Sequence, residues 1–390
     1  MMGLMEDVMP PPIVKLKREL GGERIEVDLS QGVPFFSPPK EALEALFKED
    51  LHALSRYTPD EGLPSLREAV AEKLRSENGI HAAEGEVMIT PGANYAFFIA
   101  LSATVRRGGR VALLAPYYFN HLMAVQILGG VPHIVPWGGG RLNLEGVEEA
   151  LDKGAEAVVL VNPSNPTGLT FTRQEVKALL ELTEQRGAYL LSDETYEHFT
   201  FSGRKHTSPA ALSGGNGVVS IFSMSKSFGM GGWRVGYLHY PQGIEGDLLK
   251  AQDTVGICSP NPSQRLAEIL LREHSPHYPR SMVPKLERSL EGFTRALDRV
   301  GVRWVGGEGA FYLLVKCPPG VTGWEAAKEL ARRWGVLTVP GEPFGAGGYL
   351  RVSFGNLPPE RSAAAADRLG EALEELYGSF EGKGLKYTEG

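Results

Sequence analysis

Short runs of consecutive apolar residues alternate with longer amphipathic segments between residues 40 and 275. The runs lack the polar alternation of a sheet with one exposed face, so they are typical of parallel strands buried on both faces. These candidate strands are Val111–Leu114, Ala157–Val161, Tyr189–Leu191 and Val218–Phe222. The segments between them carry apolar residues at helical spacing. The pattern predicts an α/β fold with a large, doubly wound and mostly parallel sheet.

Residues that begin and end helices support this alternation. Thr172 and Glu175 form a capping box that opens a helix, and Gly187 ends that helix. Pro64 suits the first turn of another helix, which Gly79 ends. Further helices are expected at Lys40–Arg56 and Tyr95–Val105.

The pattern changes after about residue 280 and predicts a smaller α+β unit. Its expected elements are the helices Val283–Val300, Gly323–Trp334 and Pro359–Tyr377 and the strands Val302–Trp304, Ala310–Val315, Val336–Val339 and Tyr349–Val352. We therefore expect an extended N-terminal arm (1–39) that joins the small domain, a large domain (40–280) and a small C-terminal domain (281–390).

Composition narrows the possible partners. The net charge is −7 and the pI is near 5.8, which argues against nucleic acid and anionic membranes. The two cysteines, Cys258 and Cys317, form neither a metal-binding spacing nor a disulfide framework, so we expect no metal site and a cytoplasmic location. The N-terminal residues do not have the pattern of a signal peptide, and no apolar run is long enough for a membrane span.

Polar clusters follow three of the candidate strands and precede one helix. In an open α/β sheet the carboxyl ends of the strands meet at one edge, where ligands bind. The clusters are Asn162–Gly168, Ser192–Tyr196, Ser223–Gly229 and Thr90–Asn94. Each alone would be an ordinary turn, helix cap or solvated loop. Their order along the chain favours one shared site, because four unrelated turns, caps or loops would otherwise have to occur in this order by coincidence.

Lys226 indicates which chemistry this site performs. An ammonium group near a buried strand is costly to desolvate unless it is paired or neutralised, and such lysines cradle phosphate or form Schiff bases. The other clusters supply what pyridoxal 5'-phosphate (PLP) needs. Asp193 would keep the pyridine nitrogen protonated, and Asn165 and Tyr196 would contact the phenolate oxygen. Lys226, Asp193 and Tyr196 are the candidate catalytic residues.

The phosphate of this cofactor needs N–H groups at a helix N-terminus, where the helix dipole favours an anion. The start of the helix at Tyr95–Val105 supplies them, an arginine adds a bidentate contact, and a flat aromatic side chain covers the cofactor ring. The candidate cofactor ligands are Gly92, Ala93, Asn94, Tyr118, Ser223 and Arg234, in addition to Asn165, Asp193, Tyr196 and Lys226.

These motifs resemble those of the fold-type I PLP-dependent aminotransferases of class I/II. The resemblance runs from Ser30–Pro34 to Leu350–Gly355, and its most specific parts are Asn165–Gly168, Ser223 with Lys226, and Gly232–Gly236. It implies that Arg351 and the backbone N–H of Gly32 bind the substrate α-carboxylate, together with Asn165. It also implies that Tyr57 reaches the cofactor phosphate of a neighbouring subunit, and therefore a homodimer with shared active sites.

The resemblance further implies the reaction. Lys226, released from the cofactor by an amino-acid substrate, takes the Cα proton as general base and returns it to the cofactor. A 2-oxo acid leaves, and a second 2-oxo acid reverses the sequence, which gives ping-pong kinetics.

The side-chain preference is expected to be apolar. Some relatives that accept aspartate or prephenate have a lysine where this chain has Asn94, and the segment Thr254–Pro262 has no Lys or Arg. Other segments, such as Ala115–Asn120, resemble those of kynurenine-type and plant aromatic aminotransferases. We expect aromatic amino acids or methionine as donors. The candidate pocket residues are Phe35, Phe36 and Tyr117.

Other functions remain open from the sequence. The aminotransferase could instead accept aspartate, or the chain could be a β-eliminating C–S lyase, because both share the fold and the cofactor. A transcription regulator with this fold would carry a basic recognition helix ahead of residue 40, and a dinucleotide-binding protein would carry G-x-G-x-x-G after a strand. Neither feature is present.

Overall fold

The computed structural model describes residue 3 and residues 5–381. The strands are β1 Val27–Asp28, β2 Val87–Thr90, β3 Arg110–Leu114, β4 Val131–Val135, β5 Ala155–Val161, β6 Tyr189–Asp193, β7 Val218–Ser223, β8 Gly236–His239, β9 Trp304–Gly306, β10 Tyr312–Lys316, β11 Val336–Leu337, β12 Val339–Pro340 and β13 Tyr349–Ser353. The largest sheet has the strand order β2-β8-β7-β6-β5-β3-β4. A second sheet has the order β12-β13-β10-β9, and β1 pairs with β11.

Helices separate most of these strands, as the apolar periodicity predicts. They are α1 Pro12–Leu20, α2 Lys40–Leu46, α3 Leu51–Leu54, α4 Pro64–Lys73, α5 Ala93–Thr104, α6 Phe119–Ile127, α7 Leu144–Asp152, α8 Arg173–Arg186, α9 Ala210–Ser213, α10 Met224–Ser227, α11 Glu245–Gly256, α12 Asn261–His274, α13 His277–Arg299, α14 Gly323–Trp334 and α15 Pro359–Glu381. None of the described helices is both long and apolar enough to cross a membrane.

Strand direction decides where the functional side chains meet. In the largest sheet β8 is antiparallel to both of its neighbours, and the remaining strands run in one direction. The carboxyl ends of β2, β5, β6 and β7 therefore lie at one edge, and β8 begins at that same edge. Ser223, the last residue of β7, pairs with Gly236, the first residue of β8. The α/β prediction is confirmed.

Capping chemistry explains several helix boundaries. Thr172 and Glu175 form the predicted capping box, and Gly187 ends α8 in the left-handed conformation. The expected helix at Lys40–Arg56 is wrong in its middle, because the Asp50 side chain accepts a hydrogen bond from His52 N–H and starts a second helix.

Hydrophobic clusters divide the molecule. Two of them pack on the two faces of the largest sheet. A third gathers α13, α14, α15 and β10 together with Leu16 and Leu20 of α1. The arm at residues 1–39 is thus not wholly extended, as the sequence suggested, because Pro12 begins a helix that buries these two leucines. The separate clusters support the predicted domain boundaries, which stay a prediction.

Candidate active site

An open cleft of about 830 Å³ lies at the carboxyl edge of the largest sheet. It brings together residues that are far apart in the sequence. The predicted site residues that line it are Gly32, Ala93, Asn94, Tyr118, Asn165, Asp193, Tyr196, Ser223, Lys226, Arg234 and Arg351. Polar clusters at the strand ends therefore converge, as the strand directions require.

Lys226 lies in α10, directly after β7. Ser223 begins this short helix, and its Oγ accepts a hydrogen bond from the backbone N–H of Ser225 (3.1 Å). The Lys226 Nζ donates to the Gly32 carbonyl oxygen (2.6 Å). Burial, with the nearby cations Arg351 and Arg234, lowers the pKa of Lys226 to about 8. At this pKa about a fifth of the Lys226 amine is neutral at pH 7.4, far more than for an ordinary lysine, and a nucleophile or base requires this neutral form.

Asp193 ends β6 and is paired with a histidine that the sequence analysis did not assign. The His121 Nε2 lies 3.1 Å from Asp193 Oδ2, and both side chains are buried. The backbone N–H of Thr195 donates to Asp193 Oδ1 (3.1 Å). Burial alone would raise the pKa of Asp193, but the His121 and Thr195 hydrogen bonds outweigh it and lower the pKa. His121 follows Tyr118 by one helical turn, a spacing that could have indicated it.

His121 is itself held by stacking. Its ring lies 3.9 Å from the Phe97 ring, centroid to centroid, with nearly parallel planes. Its Nδ1 is buried without a hydrogen-bond partner among the described residues. The histidine is therefore fixed in place by an aromatic face, and its Nε2 is directed at the carboxylate.

Arg351 reaches the cleft from β13, in the second sheet. Its Nη1 donates to Asn165 Oδ1 (3.1 Å), and its Nη2 donates to the Ser30 carbonyl oxygen (2.6 Å). The side chain is almost fully buried, and its Nε has no partner among the described residues. A buried guanidinium with an unused donor suits a carboxylate ligand.

Tyr312, at the start of β10, is a second residue that the sequence analysis missed. The Arg351 guanidinium stacks over the Tyr312 ring at 4.7 Å. The Tyr312 hydroxyl lies 2.5 Å from the Tyr196 hydroxyl. Burial raises the pKa of Tyr312 to about 12, and burial together with Tyr312 raises the pKa of Tyr196. Both tyrosines therefore stay protonated over the neutral pH range.

Gly92 and Arg234 form a cradle at the N-terminus of α5. Gly92 has a φ of 88°, and a Cβ at this position would lie 2.4 Å from the Arg234 Nη2. Arg234 donates to the carbonyl oxygens of Pro91 (3.1 Å) and Gly231 (3.0 Å). The free helix N–H groups, the guanidinium and Ser223 make a donor set that suits a phosphate. With Lys226 and Asp193, the residues present fit PLP.

Some predicted residues lie elsewhere. Tyr57 is 80% exposed and lies outside the cleft of its own chain. Phe35, Phe36 and Tyr117, which are expected to line the substrate pocket, are not among the residues that line this cleft. Phe36 packs with Phe199 and Phe35 packs on Phe36, within the cluster around α13. Tyr117 is buried behind the cleft. The apolar residues that do line the cleft include Ile13, Val33 and Phe119.

The fold and this site define a PLP-dependent aminotransferase of fold type I. Residues 24–369 match the model of the family "Aminotransferase class I and II", and the chain belongs to that family. It is 38% identical over 380 residues to the aromatic aminotransferase ISS1 of Arabidopsis thaliana, with 94% of each chain covered. It is also 31% identical over 376 residues to a probable aspartate/prephenate aminotransferase of Aquifex aeolicus, with 92% of this chain and 94% of that protein covered.

A solved structure shows the same architecture. The aromatic aminotransferase from Pyrococcus horikoshii OT3 superposes with a TM-score of 0.86 at 29% identity, and the match covers 93% of this chain and 99% of that one. The predicted family, cofactor and enzyme class are therefore confirmed. The names of the relatives include both aromatic and aspartate/prephenate enzymes, so they do not decide the amino donor.

Proposed function

We propose that the enzyme transfers an amino group from an aromatic amino acid or methionine to a 2-oxo acid. The charge inventory of the cleft carries this proposal. Among the described residues that line it, the cations are Lys226, Arg234 and Arg351. Each of these three already has a role at the cofactor or at the α-carboxylate, so none is left for a second carboxylate. The apolar residues Ile13, Val33 and Phe119 offer surface to an uncharged side chain instead.

In the proposed mechanism, this chain's residues hold and move protons around the cofactor. Bound PLP supplies an electron sink for the negative charge that develops at the substrate Cα. Asp193, kept ionised by His121, holds a proton on the pyridine nitrogen. Arg351 and Asn165 fix the α-carboxylate, with the Gly32 backbone beside them. Lys226, in its neutral form, would hold the cofactor through its amine and would serve as the general base for the substrate Cα proton.

The first experiment is an absorbance titration of the purified PLP-loaded protein with single amino acids. Loss of the visible cofactor band with phenylalanine, tyrosine or methionine, but not with aspartate, is the expected result. Loss of the band with aspartate alone would leave an aminotransferase of the other specificity. Release of pyruvate from a cysteine conjugate, without an added 2-oxo acid, would identify the C–S lyase alternative.

We propose a homodimer as the working unit. Tyr57 is exposed, and the nearby chain also exposes Phe47 (74%) and Leu51 (67%), an unusual set for a surface in water. A second copy that covers this face would let Tyr57 reach the partner's phosphate site. Sedimentation velocity should show a dimer, and Tyr57→Phe should weaken PLP retention without unfolding the protein. A monomer with full activity would refute this arrangement.

The proposal includes a cytoplasmic location, supported by two cysteines that are both free. Fractionation of cells that express the full chain would test it.

A further inference from the structure

Tyr312 contacts several groups of the active site at once, although no role is assigned to it above. Its hydroxyl lies 2.5 Å from the Tyr196 hydroxyl, and the two rings meet edge to face at 5.5 Å. Its ring lies under the Arg351 guanidinium. A Cβ on Gly32 would lie 2.3 Å from the Tyr312 hydroxyl, so the absence of a side chain at Gly32 leaves room for it.

The contact between the two hydroxyls has a direction. A tyrosine hydroxyl has a single proton to donate. If Tyr196 donates that proton to the anionic phenolate oxygen of PLP, its oxygen can only accept from Tyr312. If Tyr196 donated to Tyr312 instead, only the lone pairs of the Tyr196 oxygen would face the anionic phenolate, and no hydrogen bond could form between them. The chain of donors therefore runs from Tyr312 to Tyr196 to the cofactor.

We propose that Tyr312 is a positioning residue that strengthens Tyr196 as a donor to the cofactor phenolate and, through its ring, orients Arg351 for the substrate carboxylate. This inference rests on the proposed role of Tyr196 in PLP binding. Hydrogen bonds in series polarise one another, so Tyr196 donates more strongly when it accepts from Tyr312. The stacked ring limits the rotation of the guanidinium.

The hydroxyl and the ring make separable contributions. The hydroxyl acts on the proton that the Lys226–PLP linkage shares with the phenolate oxygen. When that proton leaves, the phenolate depends on protein donors, so a weaker Tyr196 donor makes the deprotonated form less favourable. Loss of the hydroxyl therefore raises the pH midpoint of the cofactor's visible absorption. Loss of the ring weakens the hold on Arg351 and therefore raises KM for the amino acid.

The test is a spectrophotometric pH titration of the PLP-loaded protein. Tyr312→Phe, which keeps the ring, should raise the midpoint by about half a pH unit and leave KM nearly unchanged. Tyr312→Leu should raise both the midpoint and KM. Tyr240→Phe is the matched control, because it removes a buried tyrosine hydroxyl that donates to the Gly85 carbonyl oxygen (2.8 Å), outside the cleft.

A double-mutant cycle shows whether Tyr312 acts through Tyr196. In a Tyr196→Phe background, the further change Tyr312→Phe should not move the midpoint. An unchanged or lowered midpoint in the single variant Tyr312→Phe, or a further shift in the Tyr196→Phe background, would overturn the inference. If Tyr312→Phe does not fold, the midpoint of Tyr312→Leu serves as the readout, because that change also removes the hydroxyl.

Failure of the proposed function and failure of the Tyr312 proposal give different experimental results. An unmodified chain with no visible cofactor band would refute the role of the site itself. An unmodified chain with a titrating band that Tyr312→Phe does not alter would refute only the role of Tyr312.

Discussion

Replacing Lys226 by methionine should stabilise the cofactor-free protein while abolishing its activity. The folded protein lowers the pKa of this lysine from 10.5 to about 8 because it is buried near two arginines. This difference of about 2.5 pH units corresponds to roughly 3 kcal/mol of unfavourable free energy whenever the lysine is protonated in the folded state. Methionine has a similar length and no charge, so Lys226→Met removes most of this cost. Part of the gain is offset by the lost hydrogen bond to Gly32.

The pH dependence gives the prediction its sign. Below pH 8 both folded and unfolded chains hold the lysine proton, and the full cost is present. Between pH 8 and 10.5 the unfolded chain binds more protons, so the stability of the unmodified protein rises with pH. The advantage of Lys226→Met should therefore be largest at neutral pH and disappear above about pH 10.5.

Chemical denaturation at equal protein concentration, between pH 7 and pH 10.5, measures this advantage. Lys250→Met is the matched control, because the Lys250 side chain is 79% exposed and should change little. The same Lys226→Met protein should show no transamination, since no other lysine lines the cleft among the described residues. An equal midpoint for mutant and unmodified protein at pH 7, or an advantage independent of pH, would refute the reasoning.

Three further substitutions test the surrounding charges. His121→Phe keeps an aromatic ring but removes the donor to Asp193, a charged hydrogen bond of about 1.5–3 kcal/mol. The midpoint of the acid limb of the pH–activity profile should therefore rise by about 1–2 pH units. An unchanged midpoint would contradict the pairing of His121 with Asp193. Arg351→Lys should raise KM for the amino acid about tenfold or more, with a smaller change in kcat, because the bidentate contact is lost; steady-state kinetics with an unchanged KM would refute it. Glu197 accepts a hydrogen bond from the buried Lys73 ammonium. Glu197→Ala leaves Lys73 without this carboxylate and should lower the free energy of unfolding by roughly 3–5 kcal/mol in denaturation experiments. The pKa of Glu197 is lowered to about 2 in the folded protein. The ion pair therefore stabilises the fold fully above about pH 4.5, and this stabilisation is lost as the pH falls towards 2. The difference in free energy of unfolding between mutant and unmodified protein should vanish there.

The cofactor-facing residues were predictable because their signals are local. Ser223 ends one strand, Lys226 follows that strand and Asp193 ends another, so the direction of parallel strands suffices to bring them together. Tyr312 was not predictable in this way. It lies 116 residues from Tyr196 and reaches it from a different sheet, so its contact depends on how the two sheets pack.

The errors in secondary structure have equally local causes. β4 was missed because Pro132 interrupts its apolar run and its residues are half exposed at the sheet edge. The N-terminal arm was interpreted as extended because of its prolines, although a proline is well suited to the first turn of a helix. Burial on both faces does not by itself make a strand predictable, because β8 is buried throughout and was not among the predicted strands either.

The hairpin between β7 and β8 has a consequence for folding. It brings Ser223, Lys226 and Arg234 together through contacts between near neighbours in the chain, which form with little loss of loop entropy. Arg351, by contrast, lies 186 positions from Asn165 in the chain, so their contact requires this whole segment to be brought into place. Contacts of such different range form at different stages as the chain folds. The part of the cleft that β7 and β8 supply can therefore assemble early, whereas the α5 side of the phosphate cradle and the carboxylate site both depend on long-range contacts.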